Sequence, residues 1–354
     1  MAQLGLTTYR LNNNIKSTVL LIAFPFLLLT LLGVTVFFFG LLVGPQAEFG
    51  SLGASSVLGT GSATDLAVSV VYAWWPLVLG AAAIWVLVGY FFNDAIIHRA
   101  TGANPVTRAQ QPKLYSLVEN LCISRGLAVP KLYIVESDAM NAYASGIDER
   151  SYAITVTSGL LNQLSADELE AVLAHELTHI INRDCRLLIV TIVFVGMISF
   201  LTQMLWRSLR VASFTRTRGK GAAPMVLLMV IAAVAFAIGY MLALILRFAI
   251  SRRREYQADA GSVDLTKNPD AMISALLKIA HNPDVPHVPS EVRQLFIENP
   301  ASGFDLGGLF ATHPSIAKRV QVLEELGGHV PREDPSTAAT QPAPVFTRQN
   351  SPWQ

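Results

Sequence analysis

Four stretches without any Asp, Glu, Lys or Arg constrain the fold of this chain more than any other feature. They span residues 17–47, 66–93, 187–206 and 221–246. A helix of about 20 apolar residues is long enough to cross the hydrocarbon core of a bilayer, and each stretch reaches that length. Because 52% of the 354 residues are hydrophobic and only 14% are charged, the sequence predicts an integral membrane protein with four apolar helices.

Composition also argues against several other classes of protein. The 26 Lys and Arg residues nearly balance the 25 Asp and Glu residues, so no nucleic acid partner is expected. Cys122 and Cys185 lie far apart and outside any CxxC pattern, which argues against a disulfide framework and a zinc ribbon. The first apolar run is about twice as long as the 7–15 residues usual in a signal peptide. We therefore expect it to remain as an anchor.

The distribution of basic residues predicts the orientation in the membrane. Lys and Arg precede the first run and follow the second, whereas the loop 45–66 between them has none. The positive-inside rule then places the N-terminus and residues 94–186 in the cytoplasm. The expected location is the cytoplasmic (inner) membrane, with several spans and the soluble lobe on the cytoplasmic side.

The expected fold is an α-rich α+β membrane protein, in which the four apolar helices accompany a lobe with a small sheet. Residues 111–126 have a helical pattern, while Lys131–Val135 and Tyr152–Thr157 are typical of short strands. The expected divisions are an N-terminal membrane hairpin at 1–93 (spans about 18–44 and 67–92), a lobe at 94–186, a second membrane hairpin at 187–250, the C-terminal part of the lobe at 251–330, and a disordered tail at 331–354.

The segment that most directly indicates chemistry is an HExxH motif. Ser165 and Glu168 form a capping-box pattern that predicts the start of a helix. On that helix His175 and His179 are four residues apart and share a face, so that they can bind one metal ion, while Glu176 can act as a general base. Two imidazoles suit zinc, which needs a third protein ligand and an open position for catalysis. The alternative is an ordinary pair of surface histidines.

A second segment supplies a candidate for the third ligand. Glu255 and Asp259 follow the fourth apolar run with a spacing of four residues. Glu255 could complete the metal site, and Asp259 could accept a hydrogen bond from the second nitrogen of a ligating histidine. The alternative is a solvated helix face on which both carboxylates balance the arginines at 252–254.

Together these motifs resemble the HtpX family of membrane-embedded zinc peptidases. The resemblance covers about residues 90–327. It is carried by HELTHIINRD at 175–184, REYQADA at 254–260, NAYASG at 141–146 and THPSIAKR at 312–319, and by the order of the apolar runs around them.

The resemblance implies a role for each matching position. His175, His179 and Glu255 would bind one Zn²⁺ per chain, and Glu176 would activate water. Asn141 and Ala142 would lie beside an edge strand that holds the substrate. His313 and Arg319 would act on the reaction intermediate or on the architecture of the site, although the His-Pro pair at 313 is equally typical of a helix start.

The implied function is the hydrolysis of peptide bonds in misfolded or damaged membrane proteins, with a role in quality control and the stress response. Polypeptides and the lipid bilayer are the expected partners. We expect an extended substrate to add as a strand at the edge of Tyr152–Thr157, which would give broad specificity. Two alternatives remain: a peptidase of prenylated CAAX proteins, and a membrane scaffold with a structural zinc site.

Spacing also predicts where the metal lies. His179 precedes the third run by eight residues and Glu255 follows the fourth by nine, so the metal must lie near the cytoplasmic face of the membrane. The two runs must then cross the membrane twice or not at all. We expect two full crossings, although the basic loop 207–223 conflicts with the positive-inside rule. A re-entrant hairpin beside the lobe is the alternative.

Overall fold

The computed structural model describes residues 2–43, 62–214, 222–286, 288, 290–293, 295–298 and 314–330. Its helices are α1 (Ala2–Val43), α2 (Ala63–Thr101), α3 (Pro112–Arg125), α4 (Ser158–Gln163), α5 (Ala166–Ile181), α6 (Asp184–Phe214), α7 (Ala222–Thr266), α8 (Pro269–Ile279), α9 (Ser290–Arg293) and α10 (Ile316–Glu325). The expected tail at 331–354 and His313 lie outside the described residues.

The apolar runs fall on α1, α2, α6 and α7. Within the described part of the chain, three helical stretches are long and apolar enough to cross a membrane: Leu11–Leu42, Ala63–Thr101 and Asp184–Val211. The described apolar stretch of α7 is shorter, Val226–Met241. The α-rich membrane fold expected from the sequence is therefore confirmed.

Close contacts tie these helices into a bundle. The rings of Phe24 on α1 and Phe194 on α6 are stacked with centroids 4.2 Å apart. On α2, the indole nitrogen of Trp85 donates to the carbonyl of Val193 at 3.0 Å. A Cβ at Gly89 would lie 2.6 Å from a methyl group of Val193, so glycine is required where α2 and α6 approach each other.

The lobe contains a small mixed sheet beside α5. Its described strands are β1 (Asn104–Pro105), β2 (Lys131–Val135), β3 (Ala142–Ser145) and β4 (Ala153–Thr157) in the order β1-β2-β4-β3. Strand β4 is parallel to β2 and antiparallel to β3. The helix expected at 111–126 and both expected strands are confirmed, whereas β1 and β3 were not expected.

This order corrects the expected place of substrate addition. The strand predicted at Tyr152–Thr157 is β4, which is paired on both sides and therefore offers no free edge. The edge strand beside β4 is β3, and β1 lies at the opposite edge of the described sheet. The outer side of β3 already meets the chain itself, because Tyr143 forms an antiparallel bridge with Phe296.

Helices α5 and α7 cross closely within the lobe. Helix α7 continues without a break from the fourth apolar run into the lobe, and there it packs against α5. The Ser262 hydroxyl donates to the carbonyl of Ala171 at 2.6 Å. A Cβ at Gly261 would lie 2.3 Å from Thr178, so the absence of a side chain allows the approach. This crossing carries the end of α7 to the HExxH motif.

The expected capping box at the start of α5 is confirmed. The Ser165 hydroxyl accepts from the backbone N–H of Glu168, whose carboxylate accepts from the backbone N–H of Ser165. The same carboxylate receives the hydroxyl of Ser274 at 2.5 Å and the ammonium of Lys278 at 2.7 Å. One side chain therefore fixes the first turn of α5 and joins it to α8.

Candidate active site

His175 and His179 lie one turn apart on α5 and point at a common space. Their Nε2 atoms are 3.2 Å apart, and the two rings meet edge to face. The His175 side chain is fully buried, whereas that of His179 keeps 12% of its surface exposed. Access to this space from solvent is therefore on the side of His179.

Glu255 on α7 reaches the same space from the opposite side. Its carboxylate oxygens lie 3.6 Å from Nε2 of His175 and 3.8 Å from Nε2 of His179. Candidate ligand atoms of the three residues all lie within 4.8 Å of one another. Bonds of about 2.0–2.1 Å to a tetrahedral metal separate the ligand atoms by about 3.3–3.4 Å. Two nitrogens and one carboxylate oxygen at these separations fit such an ion.

A carboxylate orients His175 from behind. Nδ1 of His175 lies 3.0 Å from Oδ1 of Asp259. The Arg319 guanidinium donates to both carboxylate oxygens of Asp259, at 2.9 and 2.6 Å, and to the carbonyl of Ile297 at 2.9 Å. Burial raises the pKa of Asp259, yet Arg319 and His175 hold it below its ordinary value. Asp259 is therefore an anion between two donors.

A second carboxylate, which the sequence had not indicated, orients His179. Nδ1 of His179 lies 3.0 Å from Oδ2 of Asp184, the first residue of α6. The side-chain amide of Asn13 on α1 donates to Oδ1 of Asp184 at 2.7 Å and to the carbonyl of Asn182 at 3.2 Å. The position of Asp184, five residues after His179 at the end of the helix, is the one signal that could have identified it.

These supports decide which nitrogens face the common space. A carboxylate beside each Nδ1 holds the proton there, which leaves a lone pair on each Nε2. Two lone pairs and the Glu255 carboxylate then face one another, and such a group needs a cation. Burial alone lowers the pKa of His175, but its hydrogen bonds with Asp259 and Glu255 outweigh burial and raise the pKa to about 9. A proton can therefore take the place of a metal.

Glu176 lies beside this group without a partner. Its side chain is buried, and neither carboxylate oxygen has a hydrogen-bond partner among the described residues. Burial raises the pKa of Glu176 above its ordinary value, although the two nearby histidines act in the opposite direction. A buried carboxylate without hydrogen bonds requires a further group, and a water or a substrate would satisfy it.

The remaining predicted site residues lie near the group but contact the chain itself. The Asn141 amide donates to the carbonyls of Pro283 and Glu298 at 2.7 and 2.8 Å. The carbonyl of Ala142 accepts from the backbone N–H of Ile297 at 2.8 Å. Ala142 begins β3 and Asn141 directly precedes it, whereas the expected edge strand was Tyr152–Thr157. The role of both residues in binding substrate stays a prediction.

Arg319 is also brought to the site, where it lies beside Asp259 and also beside His175, whose Nδ1 is 3.4 Å from Nη2 of Arg319. Its guanidinium is fully buried, and Nη1 lies 3.8 Å from the nearer oxygen of Glu255. The expected catalytic role of Arg319 stays a prediction. So does that of His313, for which the structure gives no position.

Comparison with known proteins identifies the family of the chain. Residues 108–327 match peptidase family M48. The chain is 44% identical to a protease HtpX homolog of Bacteroides fragilis (strain YCH46) over 333 residues, which are 92% of this chain and 100% of that protein. It is 40% identical to a protease HtpX homolog of Trichormus variabilis over 256 residues, 72% of this chain and 87% of the relative. The crystal structure of S. mikatae Ste24p matches with a TM-score of 0.46 and 21% identity, over 71% of this chain and 58% of that one.

A membrane-embedded helical bundle with an HExxH helix and a distant glutamate defines a class of membrane metallopeptidases. The chain belongs to the HtpX family within peptidase family M48. It is therefore a membrane-bound metalloprotease that acts on polypeptides, and the scaffold alternative is wrong.

Proposed function

We propose that the protein is a zinc endopeptidase that cleaves misfolded or damaged membrane proteins at the cytoplasmic face of the inner membrane. The observation that carries this proposal is the group formed by His175, His179 and Glu255 with the unpartnered carboxylate of Glu176 beside it. The membrane helices of the protein suit a role in clearing damaged membrane proteins during stress, because such substrates remain in the bilayer.

Zinc suits this group better than the other common divalent metals. Two imidazole nitrogens with one carboxylate form the donor set of many catalytic zinc sites, whereas Mg²⁺ and Ca²⁺ prefer oxygen ligands. The described residues offer three ligands, and a structural zinc site would need four. When bound, zinc would supply the Lewis acidity that polarises a peptide carbonyl and acidifies water.

Glu176 is the proposed general base. Its buried carboxylate is held beside the metal ligands by the same helix turn, so it can accept a proton from water and pass it to the leaving amine. Asp259 and Asp184 keep the two imidazoles in the tautomer that a metal requires. Arg319 is proposed as a positioning residue, because its guanidinium is bonded to Asp259 and Ile297.

The proposed substrate binds as an added strand along β3. Asn141 and Ala142 lie at this edge, but they are bonded to residues 297–298. A substrate that uses the same main-chain groups must displace this segment or extend beside it. Main-chain bonds give little sequence preference, which suits an enzyme that clears varied damaged proteins.

The proposed topology has four crossings with the lobe on the cytoplasmic side. Asp184 supports this placement of the site near the membrane, because it contacts His179 and also begins the third candidate span. The α7 helix, 45 residues long, would extend about 67 Å at 1.5 Å per residue. That length suffices for a crossing and for the arm that carries Glu255.

Substitution of Glu176 by Gln tests the catalytic proposal directly. The change removes the base and leaves the three ligands in place, so we expect zinc to stay bound and cleavage of a reconstituted membrane protein to be lost. Zinc content and turnover are measured on the same sample. Glu170→Gln, on the same helix, is the matched control and should keep both. Full activity in Glu176→Gln would contradict the assignment of the base.

A further inference from the structure

A second site lies beside the segment that follows the HExxH helix, where two turns of the chain line a polar cavity. The cavity has a volume of about 390 Å³. One side is formed by the turn 147–152 and the other by Arg183 and Arg186, and Arg150 projects from the first turn. Three arginines from two separate segments therefore line one space, which we name the arginine pocket.

The arginine pocket lies beside the end of the second apolar run (66–93) and the start of the third (187–206). Arg183 directly precedes α6, and Arg186 lies in its first turn, immediately before the apolar run. The opposite turn is tied to α2, because the hydroxyl of Tyr90 donates to Asp148 at 3.2 Å. Tyr90, with the exposed rings of Phe91 and Phe92 beside it, forms the kind of aromatic belt found at headgroup level.

The backbone at Arg183 is unusual for an arginine. Its φ is 60°, in the left-handed region that residues with a Cβ adopt at a cost. A glycine or asparagine is the usual residue where a helix ends in this conformation. The side chain of Arg183 lines the cavity. Residues with strained backbone of this kind cluster at functional sites.

The charges of the arginine pocket are not neutralised internally. Within the described part of the chain, none of its three guanidinium groups forms an ion pair. Asp148 and Glu149 also line the cavity. One oxygen of Asp148 accepts from the N–H groups of Arg150 and Ser151 and from the Ser151 hydroxyl, and so serves the turn itself. An anionic group with several oxygens can accept hydrogen bonds from all three guanidinium groups.

We propose that the arginine pocket binds the phosphate headgroup of an anionic phospholipid. The position beside the end of the second apolar run and the start of α6 selects a lipid over a soluble anion, because the acyl chains can continue along the exposed apolar side chains of α2 and α6. Each guanidinium group can bind two phosphate oxygens at once. A basic pocket beside membrane helices is suited to phosphate headgroups. The lipid would fix the turn between α5 and α6.

Native mass spectrometry of the full-length protein in detergent tests this proposal. The probes are dioleoylphosphatidylglycerol and, as the neutral comparison, dioleoylphosphatidylcholine. We expect the wild type to retain the anionic lipid preferentially. Substitution of all three arginines (Arg150, Arg183 and Arg186) by Gln keeps the length of the side chains and should weaken binding at least about tenfold.

Two further variants separate binding from folding and from general charge. Glu149→Gln removes a carboxylate from the cavity and should strengthen binding, which a misfolded protein could not do. The matched control replaces Arg108, Lys113 and Arg125 by Gln, which removes the same charge elsewhere on the lobe, and should bind as the wild type does.

Three results would overturn the proposal. The lipid preference could survive in the triple pocket variant, or disappear equally in the matched control, which would indicate a diffuse effect of charge. It could also be abolished by inorganic phosphate or glycerophosphoglycerol at the concentration of the lipid. The pocket would then bind a soluble anion, and the acyl chains would contribute nothing.

Discussion

The two histidines that we propose as metal ligands are supported in the same way by two different parts of the molecule. His175 is backed by Asp259, which is held in turn by Arg319 of α10 in the lobe. His179 is backed by Asp184, which is held by Asn13 of α1 in the membrane bundle. The first set is fully buried, whereas the His179 ring is partly exposed.

The comparison shows that the proposed metal centre is supported by both parts of the protein. The lobe provides the charged and completely desolvated support, while the bundle provides a neutral amide that reaches the site from the start of α1. A lobe cut from its membrane helices would keep the Asp259 support and lose Asn13. The coordination of the site is thus tied to the packing of the bundle.

The largest effect is expected from Arg319→Met. The change leaves the carboxylate of Asp259 buried without its ion-pair partner, and the loss of one member of a buried pair costs about 3–5 kcal/mol. Thermal unfolding in detergent should therefore occur at a clearly lower temperature. Arg108→Met, which breaks an exposed pair with Glu119, is the control and should cost at most about 1 kcal/mol. Equal decreases in unfolding temperature in the two variants would contradict a large contribution of Arg319 to stability.

The next effect compares the two carboxylates directly. Asp259→Asn and Asp184→Asn each weaken the hold on one imidazole, and changes to such outer partners reduce metal affinity about 10–100-fold. We expect Asp259→Asn at the upper end, because its surroundings are fully buried and Arg319 loses the carboxylate to which it donates twice. Chelator competition measures both affinities. A larger loss in Asp184→Asn would reverse the ranking of the lobe and the bundle.

The third effect concerns pH. His175 in the metal-free protein has its pKa raised to about 9, so near neutral pH it carries a proton that a metal must displace. Affinity should therefore rise as pH increases, by about tenfold per pH unit for one displaced proton, and level off near pH 9. In Asp259→Asn the levelling should begin at lower pH, whereas Asp184→Asn should leave it unchanged. A flat profile in the wild type would contradict the raised pKa.

The sequence predicted the parts of the site that lie on one helix and little of what joins separate elements. Helical spacing placed His175, Glu176 and His179 on one face, and the capping box marked the start of α5. The spacing of four residues between Glu255 and Asp259 also indicated Glu255 as a candidate ligand. These predictions rest on contacts between residues a few positions apart, which leave a periodic pattern.

Most of the missed features depend on contacts over long distances in sequence. Asn13 and Asp184 are 171 residues apart, and no local pattern relates them. The edge strand was assigned to Tyr152–Thr157 because a short apolar run does not reveal its neighbours, and the order of strands depends on the connections between them. Residues 297–298 on the true edge were missed for the same reason.

The smallest effect, and the one most specific to the membrane bundle, is expected from Asn13→Ala. The change removes two hydrogen bonds, to Asp184 and to the carbonyl of Asn182, but leaves Asp184 beside His179. A hydrogen bond to a charged group contributes about 1.5–3 kcal/mol to stability. Only part of this stabilisation contributes to metal binding. We therefore expect Asn13→Ala to lose less metal affinity than Asp184→Asn.

Asn12→Ala is the control for this experiment, because Asn12 is the exposed neighbour on the same helix. Metal affinity of both variants is measured by chelator competition in the same detergent. The double variant Asn13→Ala/Asp184→Asn then tests the pathway. If Asn13 acts through Asp184, the double variant should lose no more affinity than Asp184→Asn, since contacting residues in one network are not additive. Additive losses would mean that α1 supports the metal site by another route, and that the bundle and the lobe meet there through more than this one amide.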